Sequence, residues 1–274
     1  MPTALAISAL LVGPLAGCTG DAGSAPAGAK SPDKPNVLAL LVSDAKGSLQ
    51  KTVATTDKAT SVSLTMVGTA AGEKVAASGV VALEDPPKVE ITAKDADGTP
   101  TVVRMIGSVF YVQIAAKDRA SMDGKSWLKM DVAKAGAGAN LTRQFDDIDP
   151  VRQVKTLLAS GTFTVVGEET VGGVQTVHYT TTQPVSTYLR QVDAKLRTSV
   201  QKELAKAGVK TVKTDVWIDE KYQPRRVRSV AGSFSDMTVD YGDYGKPVSI
   251  NAPPAGETAD FAELMAGLGD LQNN

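Results

Sequence analysis

One cysteine and one histidine are all that 274 residues contain of two chemically versatile side chains. A lone thiol makes no internal disulfide and leaves no CxxC for redox or metal work. The single histidine, His178, sits in VQTVHYTTT, and no GxSxG supplies it with a serine. Proton transfer and covalent catalysis need such groups, so an enzyme is not expected. Carboxylates are the remaining metal ligands. Asp146, Asp147 and Asp149 cluster in FDDIDP, which a hard cation such as Ca²⁺ would accept. A helix N-terminus also welcomes negative charge, and the Asp149-Pro150 step favours that simpler reading. Neither metal nor cofactor is expected. Aromatic residues are 5% of the chain, too few for a base-stacking platform. Net charge is −1, from 29 basic and 30 acidic residues with no basic block, which excludes nucleic acid as a partner. Long apolar runs are missing too. Residues 4–12, ALAISALLV, fall far short of the ~20 that a membrane-crossing helix needs.

That short run is informative in another way. Its length suits the apolar region of a secretory signal. Gly13-Pro14 breaks it, and Leu15-Ala16-Gly17-Cys18 follows. The four residues resemble the lipobox of bacterial lipoproteins, in which the cysteine is lipidated and becomes the first mature residue. Met1-Pro2-Thr3 departs from the pattern, because a signal normally begins with Lys or Arg. The alternative is an ordinary free or buried thiol. Residues 19–35 are Gly, Ala, Ser, Pro, Asp and Lys in the main, a composition that buries almost nothing. The expected organisation is a signal segment 1–18 ending in lipidated Cys18, a flexible tether 19–35, and one domain over 36–274. The domain would hang from the extracytoplasmic face of the cell membrane by its lipid anchor.

Val, Ala, Leu and Thr are plentiful instead, and much of the domain alternates with period two. SVSLTMVG puts Val62, Leu64 and Met66 on one face. KVEITAKD does the same with Val89 and Ile91. TPTVVRMIG, SVFYVQIA and KSWLKMDV follow, with turn signals at Asp85-Pro86-Pro87 and Asp97-Gly98. FTVVGEETVGGVQTVHYTTT reads as a hairpin turned near Gly172-Gly173. KTDVWIDEKYQPRRVRSV and SFSDMTVDYGDYG supply three more strands. Asn36 caps a helix carrying Leu38, Leu41, Val42, Ala45, Leu49 and Val53 as one stripe. A short helix begins at Asp149-Pro150 and stops at Gly161. A longer one runs from Pro184 to Ala207, with Val185, Leu189, Val192, Leu196, Val200 and Leu204 on one face. NAPPAG leaves the sheet, and ADFAELMAGLGDL forms a terminal helix. About ten strands in series with short turns imply antiparallel pairing, an α+β fold with one dry sheet face covered by helices. Arg226 and Arg228 share the other face, where they could meet a lipid phosphate or simply solvent.

GSVFYVQI, GKSWLKMDV, VVGEETVGGVQTVHY, VWIDEKYQPRRV and YGKPVSINAPP occur in this order. Together they resemble the LppX/LprG family of actinobacterial lipoproteins, within the wider LolA-like fold. The resemblance implies a strongly curved antiparallel β half-barrel with helices on its concave face. It also implies a non-enzymatic envelope protein that binds lipid or glycolipid acyl chains in an apolar cavity, for transport or presentation. A structural or signalling module with an envelope protein partner is the alternative. Candidate cavity residues, read from strand alternation, are Leu64, Met66, Val89, Ile91, Val103, Met105, Val112, Ile114, Val216 and Ile218. Each is equally at home in an ordinary core.

Overall fold

The computed structural model describes residues 36–94, 98–131, 148–192 and 194–272. Twelve strands form one sheet: β1 (Ser61–Ala70), β2 (Glu73–Ala82), β3 (Lys88–Lys94), β4 (Pro100–Ile106), β5 (Val109–Gln113), β6 (Trp127–Asp131), β7 (Thr164–Val171), β8 (Val174–Pro184), β9 (Thr211–Asp219), β10 (Pro224–Ala231), β11 (Ser235–Gly242) and β12 (Thr258–Asp260). Among the described residues six α-helices accompany them: α1 (Val37–Ser43), α2 (Ala45–Thr56), α3 (Pro150–Ala159), α4 (Val185–Gln191), α5 (Ala194–Lys206) and α6 (Phe261–Gln272).

The strand order β12-β6-β5-β4-β3-β2-β1-β11-β10-β9-β8-β7 explains how a serial hairpin pattern makes so wide a sheet. One meander runs outward from β1 to β6, and another runs back from β11 to β7. They meet along β1 and β11, where Ser63 faces Gly242 and Ala70 faces Ser235. The sheet is curved and does not close. Gly172 and Gly173 form the β7–β8 turn with φ of 56° and 80°, the left-handed pair that a two-residue hairpin demands. Gly79 serves the close approach of β2 to β3. A Cβ there would stand 2.7 Å from Ile91 Cδ1 and closer still to the Glu90 carbonyl.

The principal core lies on one face. Leu41 and Leu49 from α1 and α2, and Val154 and Leu157 from α3, are almost fully buried against Val62, Leu64, Val89, Val177, Val216 and Ile218. Burying each such side chain contributes about 1.5–3 kcal/mol. Two tyrosines fasten this layer to the sheet through their hydroxyls. Tyr179 donates to the Leu41 carbonyl at 2.7 Å, and Tyr241 to the Ile148 carbonyl at 3.0 Å. Burial pushes the Tyr179 hydroxyl far above its ordinary pKa, so it remains a donor. A second, smaller cluster joins Leu189, Val192, Val200 and Leu204 of the α4–α5 region to Val212 and Ala231.

Three expectations are corrected. The stripe from Leu38 to Val53 is carried by two helices, because Asp44 leaves helical geometry and accepts the Gly47 N–H at 3.1 Å, capping α2. The pattern after Pro184 is also two helices. Val192 is extended, and Arg197 donates to the carbonyls of Leu189 and Val192 at 2.8 and 3.2 Å, ending α4. Finally, the chain after NAPPAG returns to the sheet as β12, which pairs parallel with β6. Three residues are too few to show alternation, and the open edge of β6 supplies the hydrogen-bonding groups.

Candidate functional site

The two clusters share one sheet face but do not merge. Between them lies a cavity of about 580 Å³. Its sheet wall includes Val212, Val227, Met237 and Val239 of β9, β10 and β11, with the hydroxyls of Thr214 and Ser229 among them. Val192, Val200 and Leu204 face it from the α4–α5 region, and Arg152, Gln153 and Thr156 from α3. The local sequence explains the gap. Helix α3 turns Val154 and Leu157 into the principal core, so its opposite, polar side borders the space. Asp149 fixes the start of that helix by accepting the Val151 N–H at 2.8 Å. Burial holds the Asp149 carboxyl above its usual pKa despite the backbone N–H bonds it accepts. Asp149 thus acts as a helix cap; Asp146 and Asp147 lie outside the described residues.

Few bulky groups fill the space. Tyr188 and Phe234 are the aromatic residues on its wall among the described residues. Gln191, at the end of α4, contributes an amide. Its Nε2 donates to Gln183 Oε1 at 3.2 Å, while its Oε1 is buried without a hydrogen-bond partner. A buried polar atom left unmet costs about 1–3 kcal/mol, an arrangement that folds rarely retain without a use.

The ten residues named from alternation lie elsewhere. Leu64, Val89, Ile91, Met105, Val216 and Ile218 are buried in the principal core, and Met66 and Val103 pack against it. Val112 and Ile114 are half-buried. None of the ten lines the cavity. Alternation identifies the inward face of a strand; it does not say which stretch of that face a helix covers. The residues that do line it carry a usable signal. Val192, Val200 and Leu204 belong to the helical stripe, and Val227 alternates with Arg226 and Arg228.

The opposite sheet face is polar and internally paired. Arg226 makes a two-pronged ion pair with Asp240, at 2.5 and 2.9 Å, and Arg228 another with Asp236, at 2.9 and 2.7 Å. Between the two possibilities for these arginines, both are partnered by carboxylates. His178 stacks on Trp217 with ring centres 4.1 Å apart. Its Nδ1 lies 2.9 Å from Glu169 and its Nε2 3.0 Å from Asp215. Each ring nitrogen thus already faces a carboxylate. Glu169 also accepts the Trp217 indole N–H at 2.7 Å, and these two partners hold its carboxyl below the usual range. Burial pushes Asp215 upward, yet hydrogen bonds, including those from His178 and Lys213, leave it below its ordinary value. Among the described residues no group of three or more His, Cys, Asp or Glu side chains is placed to hold a metal ion. Nor is any described helix long and apolar enough to cross a membrane.

Comparison with solved structures identifies the class of fold. The lipoprotein LppX of Mycobacterium tuberculosis superposes with a TM-score of 0.53 at 16% identity, over 75% of this chain and 97% of that one. LprF of Mycobacterium bovis gives 0.52 at 15%, over 77% and 98%. The LppX-like, LolA-like half-barrel anticipated from the sequence is therefore the fold of this chain. By sequence, an uncharacterized 31.2 kDa protein from the rplA–rplJ intergenic region of Streptomyces griseus is 32% identical over 185 residues. That match covers 63% of this chain and spans 60% of the relative's length. No family model matches the chain.

Proposed function

We propose that this chain is an envelope lipoprotein that holds the acyl portion of a lipid in the cavity between its sheet and helices α3 to α5. The observation that carries the reading is the cavity itself: about 580 Å³, where two apolar clusters fail to meet, with valines, leucine and methionine on its wall beside polar groups such as Arg152, Gln153, Glu203 and Thr214. Its size lies in the roughly 300–1,000 Å³ span of small-ligand sites. Each methylene moved into such a space from water gains about 0.8 kcal/mol, so a single long chain offsets much of the cost of leaving a membrane. The fold shared with the lipoprotein LppX supports the same direction. So does LAGC at residues 15–18, which we take as the lipid-anchor site, with 19–35 as the leash. The role is binding and carriage, not catalysis. His178, the sole imidazole, sits on the sheet face away from the core with both nitrogens directed at carboxylates.

The test is direct. Protein purified without detergent from its native envelope should carry acyl lipid in near-stoichiometric amount, seen by mass spectrometry of an organic extract. An extract free of lipid, together with delipidated protein that takes up no alkyl probe, would overturn the reading.

A further inference from the structure

Charge is not spread evenly over this chain. Residues 185–210, which carry α4, α5 and the turn into β9, hold six basic residues and two acidic ones, in a protein whose net charge is −1. Folding gathers that surplus on one side. Val200 and Leu204 of α5 are buried in the second cluster. Lys202 and Lys206, four residues apart, are neighbours on the opposite, outer side of the helix. Both are exposed, as are Arg190 on α4 and Lys210 just after α5. Among the described residues none of these four makes an ion pair; Arg190 donates to the Thr187 hydroxyl at 3.2 Å. On the far sheet face, by contrast, Arg226 and Arg228 are each bound by a carboxylate. The position of the lysines matters as much as their charge. Ser199 and Glu203 line the cavity and are also exposed, so its rim runs along α5. Lys202 and Lys206 each follow one of these rim residues by three positions, which places them beside it.

We propose that the basic outer side of α5 docks the domain on an anionic phospholipid surface, with the cavity rim turned toward the bilayer. The inference rests on the lipid-carrier reading for its purpose: a rim held against the membrane shortens the path of an acyl chain through water. Charge complementarity selects the partner. Lysines are strongly hydrated point charges on flexible stems, suited to a fluid array of lipid phosphates rather than to one fixed, two-pronged site. The contact is electrostatic and shallow, because the apolar stripe of α5 is already buried in the protein.

The test uses the Cys18→Ser chain, which lacks the proposed anchor. It is mixed with vesicles of phosphatidylcholine alone, and with vesicles of phosphatidylcholine and phosphatidylglycerol in equal parts. The ratio of the two partition coefficients is read, so that the uncharged apolar run at residues 4–12 cancels. Binding should favour the anionic vesicles at low salt and fade as salt rises. One basic side chain near an anionic surface is worth about fivefold in partitioning, so Lys202→Gln/Lys206→Gln in the same chain should lower the ratio about tenfold or more. Lys74→Gln/Lys94→Gln removes the same charge from exposed positions on β2 and β3 and should leave most of the preference. A ratio near one for the parent chain overturns the proposal and leaves the basic side to an acidic protein. So does a preference that survives the loss of Lys202 and Lys206, or one lost equally in both double variants, which marks net charge alone. Uptake of an alkyl probe is read separately. None of the four lysines lines the cavity, so uptake should be the same in all three proteins. Uptake absent throughout, with the vesicle ratios as expected, removes the carrier reading and keeps the docking surface.

Discussion

Asp215 is 1% exposed, and what makes that position tolerable is its neighbours. His178 Nε2 and Lys213 Nζ each lie 3.0 Å from its carboxylate oxygens, and His178 in turn rests on the Trp217 ring. Removing one partner of a buried carboxylate is costlier than the bond it deletes, because the other partner loses its substitute for water. His178→Ala should therefore destabilise the protein by about 1–3 kcal/mol in urea titrations at neutral pH, while lipid binding by the folded protein is unchanged. The same cluster fixes a sign for pH. Glu169 and Asp215 have folded-state pKa values below their ordinary ones, so their contribution is fully present above the ordinary carboxylate range and is lost as pH falls through the lower folded values. Asp149 and Asp219, raised by burial, act in the opposite sense and soften the loss. Urea midpoints between pH 5 and pH 3 should fall less steeply in Glu169→Gln than in wild type. Parallel slopes would mean the cluster has no such linkage.

Elements translate from sequence when their own residues decide them. The β7–β8 hairpin was legible because Gly172-Gly173 can hardly do anything but turn, and the cap at Asp149-Pro150 because both residues suit one helix start and little else. Gly79 is the harder case. It reads as a mere interruption in KVAASGVVALE, yet β2 and β3 approach so closely there that any Cβ meets the Glu90 backbone. Gly79→Ala should cost about 1–3 kcal/mol through overpacking, measured by thermal or urea unfolding, whereas the same change at the open Gly98 turn should not show that steric cost. Unchanged stability in Gly79→Ala would show that the strands can separate freely. The two split helices were illegible for a related reason. A stripe of apolar residues survives a break when both halves still face the core, so Leu38 to Val53 keeps its spacing across Asp44. The break depends on a carboxylate choosing a backbone N–H three residues on, which periodicity does not record. The cavity shares this property. Strand alternation finds the dry face correctly, but the distance between α3 and the α4–α5 pair decides which part of it stays uncovered, and that distance is tertiary.

At the scale of the whole molecule, the proposed function joins two parts of the sequence, the cavity of the domain and the proposed anchor at Cys18. A carrier gains from being held at the surface that supplies its cargo, since a short leash raises the local concentration of partner membrane without any new contact. Seventeen residues from 19 to 35, rich in Gly, Ala, Ser and Pro, have the composition of such a leash. One acyl chain binds a membrane weakly and reversibly, and two hold it firmly, so under the proposed function the strength of attachment would follow from the number of chains at Cys18. Cys18→Ser should move the protein from the membrane fraction to the soluble fraction of cells that process lipoproteins, and should abolish incorporation of labelled palmitate. The described residues that line the cavity all keep their identity in this variant. Purified Cys18→Ser should therefore bind alkyl probes as wild type does while failing to draw lipid from the membrane it no longer reaches. A Cys18→Ser protein still pelleting with membranes would place the attachment elsewhere in the chain and detach the anchor from the carrier, leaving the cavity to be judged on its own contents.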